Sequence, residues 1–147
     1  MISKITDIFK EKGKNIISVP PDTTVLDAIK LMSEKDIGSI LVMTGDQLEG
    51  IMTERDYTRS VILKGLSSKD TPVKDVMSTK LTYISPETTV TESMAIMAKK
   101  RYRHLPVFED KKLVGIVSIG NLAERLIKDQ QITINELNEY IAGHWDK

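Results

Sequence analysis

The 147-residue chain contains no cysteine, which excludes disulfides, thiol nucleophiles and Cys-ligated zinc and fits a reducing compartment. It also lacks an excess of charge. Lys plus Arg and Asp plus Glu each number 21, so the formal charge is zero and no general basic field exists to attract nucleic acid. Any anion site must therefore be local. No apolar run approaches the roughly 18 residues needed to span a bilayer, and Met1-Ile2-Ser3-Lys4-Ile5-Thr6-Asp7 lacks the apolar stretch of a signal peptide. A soluble, cytoplasmic protein is expected, with neither a membrane nor a nucleic acid as partner. The only histidines, His104 and His144, stand in unrelated contexts, which leaves no histidine-built metal site and no Ser-His-carboxylate triad. The phosphate-cradling pattern G-x-x-x-x-G-K-[ST] is missing as well.

What is present is an ordinary globular composition, 40% hydrophobic and 29% charged, at a length that suits one compact unit better than two independent ones. The chain also repeats itself. Shifted by 65 residues, Pro21-Asp22-Thr23-Thr24-Val25 falls on Pro86-Glu87-Thr88-Thr89-Val90, and Leu48-Glu49-Gly50-Ile51 falls on Leu113-Val114-Gly115-Ile116. Without a gap, eleven of the forty-three positions from Pro21 to Leu63 match, where composition alone gives roughly three.

Each copy predicts the same order of elements. A short apolar segment (15–19; 81–84) leads to a helix whose apolar positions Val25, Ile29 and Met32 correspond to Val90, Met94 and Met97. Met32 and Met97 read as core fillers. Thr24-x-x-Asp27 and Thr89-x-x-Glu92 have the form of capping boxes. Two strands follow, at 39–43 and 48–52 in one copy and 104–108 and 113–117 in the other, each pair joined by a turn and each second strand followed by a helix. The fold class is therefore α/β of the α+β type: two pseudo-symmetric β-α-β-β-α repeats, 5–66 and 73–128, facing each other across a pseudo-twofold axis around a shared core. Gly65 to Thr71 reads as the connector, and 129–147 as a helical tail with Ile134, Leu137 and Ile141 on one face and Trp145 as a docking residue.

Gly50-Ile51-Met52-Thr53-Glu54-Arg55-Asp56, Arg103-His104-Leu105-Pro106-Val107 and Gly115-Ile116-Val117-Ser118-Ile119-Gly120-Asn121 resemble the signatures of paired CBS domains, over residues 5 to 128. The resemblance implies a Bateman module: a non-catalytic regulator with two related clefts for adenine nucleotides, acting on an unknown protein partner.

The resemblance implies that the Thr53 hydroxyl contacts phosphate and Asp56 the ribose. A strand-to-helix junction suits both roles; it also suits simple helix capping, and the functional reading is favoured. At the equivalent positions Ser118 and Asn121 lack the carboxylate, so the second site is expected to be weaker. Arg103 and His104 are implied to reach phosphate from the opposite repeat, with Arg55 as a further cation. Their counterparts Gly38 and Ser39 are small and neutral, so binding is expected to be asymmetric. Ile51, Tyr83, Ile84 and Tyr102 are the candidates for packing on adenine. AMP is the leading ligand, with ADP, ATP or NAD(H) as alternatives; the basic residues disfavour a sulfonium such as S-adenosylmethionine. A homodimer is expected, formed through the helices that start near Thr53 and Ser118 and through the tail. The rival readings are a constitutive scaffold and a nucleotide-hydrolysing enzyme.

Overall fold

The computed structural model describes residues 2–14 and 16–130. The expected tail helix, with Trp145 and His144, lies outside the described residues, as does Asn15. The elements are α1 (Ile5–Lys12), β1 (Ser18–Val19), α2 (Val25–Lys35), β2 (Ser39–Thr44), β3 (Gln47–Thr53), α3 (Glu54–Tyr57) running into a π turn (Thr58–Ile62), a 3-10 turn (Val73–Asp75), α4 (Val90–Lys100), β4 (His104–Glu109), β5 (Lys112–Ser118) and α5 (Ile119–Asp129). This is the mixed α+β architecture read from the repeats.

The duplication is visible residue by residue. Thr24 and Thr89 cap α2 and α4 by accepting the amide protons of Asp27 and Glu92, and Glu92 completes its box by accepting from the Thr89 amide. Both helices end on a left-handed residue, Asp36 and Arg101. The hairpins β2–β3 and β4–β5 share one register, Ser39 opposite Thr53 and His104 opposite Ser118, with an irregularity at the same place, Val42/Met43 and Val107/Phe108. β1 pairs in parallel with β2 through Val19 and Val42. In the second copy the expected strand at 81–84 shrinks to one parallel bridge, Ile84 with Val107, whose positions are those of Val19 and Val42 plus 65.

The N-terminal helix α1 was not legible as an element. It does not pack on the repeat whose sequence it leads. Ile5 and Ile8 are buried with Ile84, Val90, Met97, Leu105, Val107, Val117 and Leu122 of the second repeat, and the Ile5 and Thr6 amides donate to the Thr88 and Pro86 carbonyls. Arg125 of α5 anchors the segment by donating to Glu11 at 2.7 Å and to the buried Ser3 hydroxyl at 2.9 Å. Reciprocally, Val73 and Val76, which lead the second repeat, are buried with Val25, Met32, Val42 and Met52 of the first repeat. Each repeat thus completes the other's core with its leading segment. The expected single shared core is in fact two apolar clusters interlocked by this exchange, while the repeats also meet where β3 approaches β5.

The crossing segments require glycine. A Cβ at Gly50 would lie 2.8 Å from the Ser78 carbonyl oxygen, and one at Gly115 would lie 2.8 Å from that of Lys14. These close approaches let Ser78 exchange two backbone hydrogen bonds with Ile51, and let the Ile116 amide donate to Lys14. The chain leaving each repeat is thereby stitched to a sheet edge, and this places residues 78–82 beside the end of β3.

Candidate functional site

At the end of β3 the chain turns directly into α3. Thr53, the last strand residue, accepts the Asp56 amide proton on its hydroxyl at 3.1 Å, and Asp56 Oδ2 accepts from the Thr53 amide at 3.0 Å. Ser78, delivered by the stitched connector, donates its hydroxyl to Asp56 Oδ1 at 3.3 Å. The capping reading of this pair is therefore real. It does not exhaust Asp56, because a carboxylate has several lone-pair positions and Asp56 faces an open cleft.

That cleft, about 1110 Å³, runs between the two repeats. It brings together Gly38, Ile51, Thr53, Arg55, Asp56, Tyr102, Arg103, His104 and Ser118 from the set singled out in the sequence. Arg103 and His104 enter from the second repeat at the start of β4, where the Arg103 carbonyl accepts from the Ile119 amide at 2.9 Å; the Gly38 carbonyl accepts from Glu54 in the same way. Gly38 is tightly placed: a Cβ there would meet Glu54 Oε1 at 2.8 Å and His104 Cε1 at 3.5 Å.

Three sequence candidates fall elsewhere. The Ile84 amide donates to the Pro106 carbonyl and its own carbonyl accepts from Phe108, which turns its side chain into the second core, 5% exposed. Alternation then turns Tyr83 away, and its ring lies 4.9 Å from that of Phe108 on the outer surface. Asn121 forms with Ser118 the same reciprocal cap as Asp56 with Thr53, at 2.9 and 3.1 Å, but does not line the cleft. The apolar wall is instead Ile51, Leu81, Tyr102, Pro106 and Ile119.

The charge of the cleft is the feature least expected from a neutral chain. Its lining carries Arg55, Arg59, Lys80, Lys100, Arg101 and Arg103 against only Glu54 and Asp56. Arg59, Lys80, Lys100 and Arg101 were missed in the sequence. The run Lys99-Lys100-Arg101-Tyr102-Arg103-His104 was the available signal for two of them; Arg59 and Lys80 sit in segments that read as plain helix and loop. The Arg55 guanidinium donates to the Arg101 carbonyl at 3.3 Å, linking the repeats at the mouth. Among the described residues, no cluster of His, Cys, Asp and Glu could hold a metal ion, and no helix is long and apolar enough to cross a membrane.

Burial, and then the charge of Arg103, hold His104 below the usual imidazole range. Its neutral form is favoured by the fold. Because the folded-state value is depressed, the associated stability is fully present above the ordinary histidine value of about 6.5 and is lost as pH falls through the folded-state value. Melting temperature should therefore drop between about pH 7 and about pH 5 by more in the parent than in His104→Gln, which cannot titrate. Equal drops would show that His104 does not set this dependence. An anion beside His104 acts in the opposite direction by stabilising the imidazolium.

Comparison with known proteins converges on one family. The CBS domain family matches the chain twice, at residues 5–62 and 73–128. The mitochondrial CBS domain-containing protein CBSX3 of Arabidopsis thaliana is 40% identical over 95% of this chain and 72% of its own length. The solved structure of a CBS-domain protein from Burkholderia ambifaria MC40-6, proposed to act in signal transduction, is 47% identical and superposes with a TM-score of 0.85, covering 90% of this chain and 99% of its own. A hexameric CBS-CP12 protein from cyanobacteria is 27% identical, with a TM-score of 0.76 over 99% of this chain and 85% of its own.

Proposed function

Since this chain belongs to the CBS-domain family, with two repeats that share one interlocked fold, we propose that it is a regulatory sensor whose cleft binds a phosphorylated adenine nucleotide. The observation that carries this reading is the asymmetry of the cleft. Asp56 and Thr53 of one repeat face Arg103 and His104 of the other, within a lining of six cations and two carboxylates. Asp56 offers its free lone pairs to the ribose hydroxyls, the Thr53 hydroxyl and the basic side chains face phosphate, and Ile51, Pro106 and Tyr102 offer an apolar surface to the base. What counts against the scaffold reading is the cationic lining, which serves no evident packing purpose.

The ligand bridges the repeats. It therefore shifts their relative packing, and through it the contacts with a partner protein, only by its differential affinity for the two arrangements, typically about 1 to 3 kcal/mol. Self-association belongs to the same proposal: Ile62 and Leu63, 54% and 74% exposed, end the helical segment after Thr53, and Ile119, 41% exposed, begins α5. That the CBS-CP12 relative is a hexamer supports this part of the proposal.

Calorimetry and thermal shift with AMP, ADP, ATP and NADH test the reading. At a hundredfold excess over Kd, a ligand specific for the folded state raises stability by about 2.7 kcal/mol. Light scattering on the same samples should give a mass at least twice the 16.5 kDa of one chain. No heat and no stabilisation with any of the four at millimolar concentration would remove the nucleotide from the proposal; a monomer throughout would remove the self-association.

A further inference from the structure

The duplication provides an internal control for the charge of the cleft. Positions 65 residues apart occupy equivalent places, as the shared hairpin register, the shared capping geometry and the paired left-handed ends of α2 and α4 demonstrate. Arg55, Arg59, Lys100, Arg101 and Arg103 correspond in the other repeat to Gly120, Glu124, Lys35, Asp36 and Gly38. Only Lys100 has a cationic counterpart. The fold is therefore built equally well with neutral or acidic residues at the other four. Arg101 makes the point most sharply: it occupies a left-handed position, φ 59°, where Asp36 stands in the first repeat at φ 53°, and Asp is the type enriched in that conformation.

These cations are also uncompensated. Among the described residues, Arg59, Lys80, Lys100, Arg101 and Arg103 form no ion pair, although Lys4, Lys12, Lys74, Arg125 and Lys128 each do. The Arg55 contact with the Arg101 carbonyl brings one more cationic side chain to this group across the repeats. Concentrated like charge in a cleft destabilises the free protein and favours an anion of matching charge. A monophosphate dianion leaves most of this charge unmatched, whereas a triphosphate comes close to balancing six cations against two carboxylates.

We infer that the cleft selects a nucleoside triphosphate over a monophosphate, with Arg59, Lys80, Lys100 and Arg101 taking up the charge beyond the first phosphate. This deepens the nucleotide reading above and rests on it. It also departs from AMP as the leading ligand.

The test titrates AMP, ADP, ATP and inorganic tripolyphosphate, without added metal, into the parent and into Arg59→Glu/Arg101→Asp. Each substitution imports the residue that the other repeat carries at the equivalent position, so the fold should tolerate it; circular dichroism and melting verify this. Lys80→Ala, at an exposed connector position, repeats the test where no helix is involved. In the parent, affinity should rise from AMP through ADP to ATP by about tenfold or more overall, and tripolyphosphate should bind more weakly than ATP. The double variant should erase the advantage of ATP by lowering ATP affinity more than AMP affinity, and Lys80→Ala should reduce that advantage. AMP binding as tightly as ATP to the parent would overturn the inference and leave the nucleotide reading standing. Equal losses for AMP and ATP in both variants would also overturn it. Tripolyphosphate matching ATP would mark a generic anion patch and overturn both, as would binding of none of the nucleotides.

Discussion

Removal of residues 1–12 is expected to abolish cooperative folding of the second repeat, although these residues lead the first repeat in sequence. Ile5 is fully buried and Ile8 is 4% exposed, and burying one such side chain contributes about 1.5 to 3 kcal/mol. The deletion also strips the partners from the Thr88 and Pro86 carbonyls and the Val90 amide, and leaves Arg125 without Glu11 and Ser3. Together these losses rival the whole stability of a typical domain, about 5 to 15 kcal/mol. The milder variant Ile5→Ala should cost about 2 to 5 kcal/mol for the truncation and the cavity it leaves. Urea unfolding and thermal melting followed by circular dichroism measure both. A shortened chain that melts cooperatively within a few degrees of the parent would show that the exchange of segments between the repeats does not hold the fold together.

The second large effect concerns Asp56, whose capping role can be separated from its proposed role toward the ligand because the other repeat caps with a neutral residue. Asn121 Oδ1 accepts the Ser118 amide proton at 2.9 Å, and Asp56 Oδ2 accepts that of Thr53 at 3.0 Å, so an amide oxygen serves the cap as well as a carboxylate. Asp56→Asn should accordingly leave stability within about 0.5 kcal/mol of the parent. It should also weaken nucleotide binding by about tenfold, because a charge-assisted acceptor for the ribose hydroxyls becomes a neutral one. Asp56→Ala removes the reciprocal acceptor as well. It should lose about 1 kcal/mol of stability and about a hundredfold in affinity. Asn121→Ala should show a similar loss of stability with little change in binding. Calorimetric affinities set beside melting temperatures decide the matter: if Asp56→Ala and Asn121→Ala lose affinity equally, Asp56 is a cap and not a ligand.

Much of this molecule could be read before any coordinates. The two hairpins, the helices capped by Thr24 and Thr89, and the capping pair Thr53 and Asp56 were all legible, because periodicity and capping chemistry are local and each was written twice. Other features were not. Ile84 looked like a wall of the cleft, yet the bridge to Val107 turns it inward. Tyr83 was mistaken for the same reason, since a single strand pairing assigns the sides of both residues. Lys80 and Arg59 gave no sign of a site, because what makes them part of one is the cleft they share with Arg101 and Arg103, which are distant along the chain.

By itself the sequence determined the repeat, its two hairpins and the capping of its helices, since these depend on which residues are neighbours along a helix turn or a hairpin. It also determined that the first copy carries the Asp56 carboxylate where the second carries Asn121, and that the second carries Arg103 where the first carries Gly38. Tertiary structure alone decided which core each leading segment completes. Ile5 and Val73 are equally apolar in the sequence, and only the crossing of the chain at Gly50 and Gly115 sends each to the opposite repeat. The same crossing collects cations from three separate stretches into one cleft. Electrostatic interactions act through space rather than along the chain, so a molecule with no net charge presents a strongly basic site.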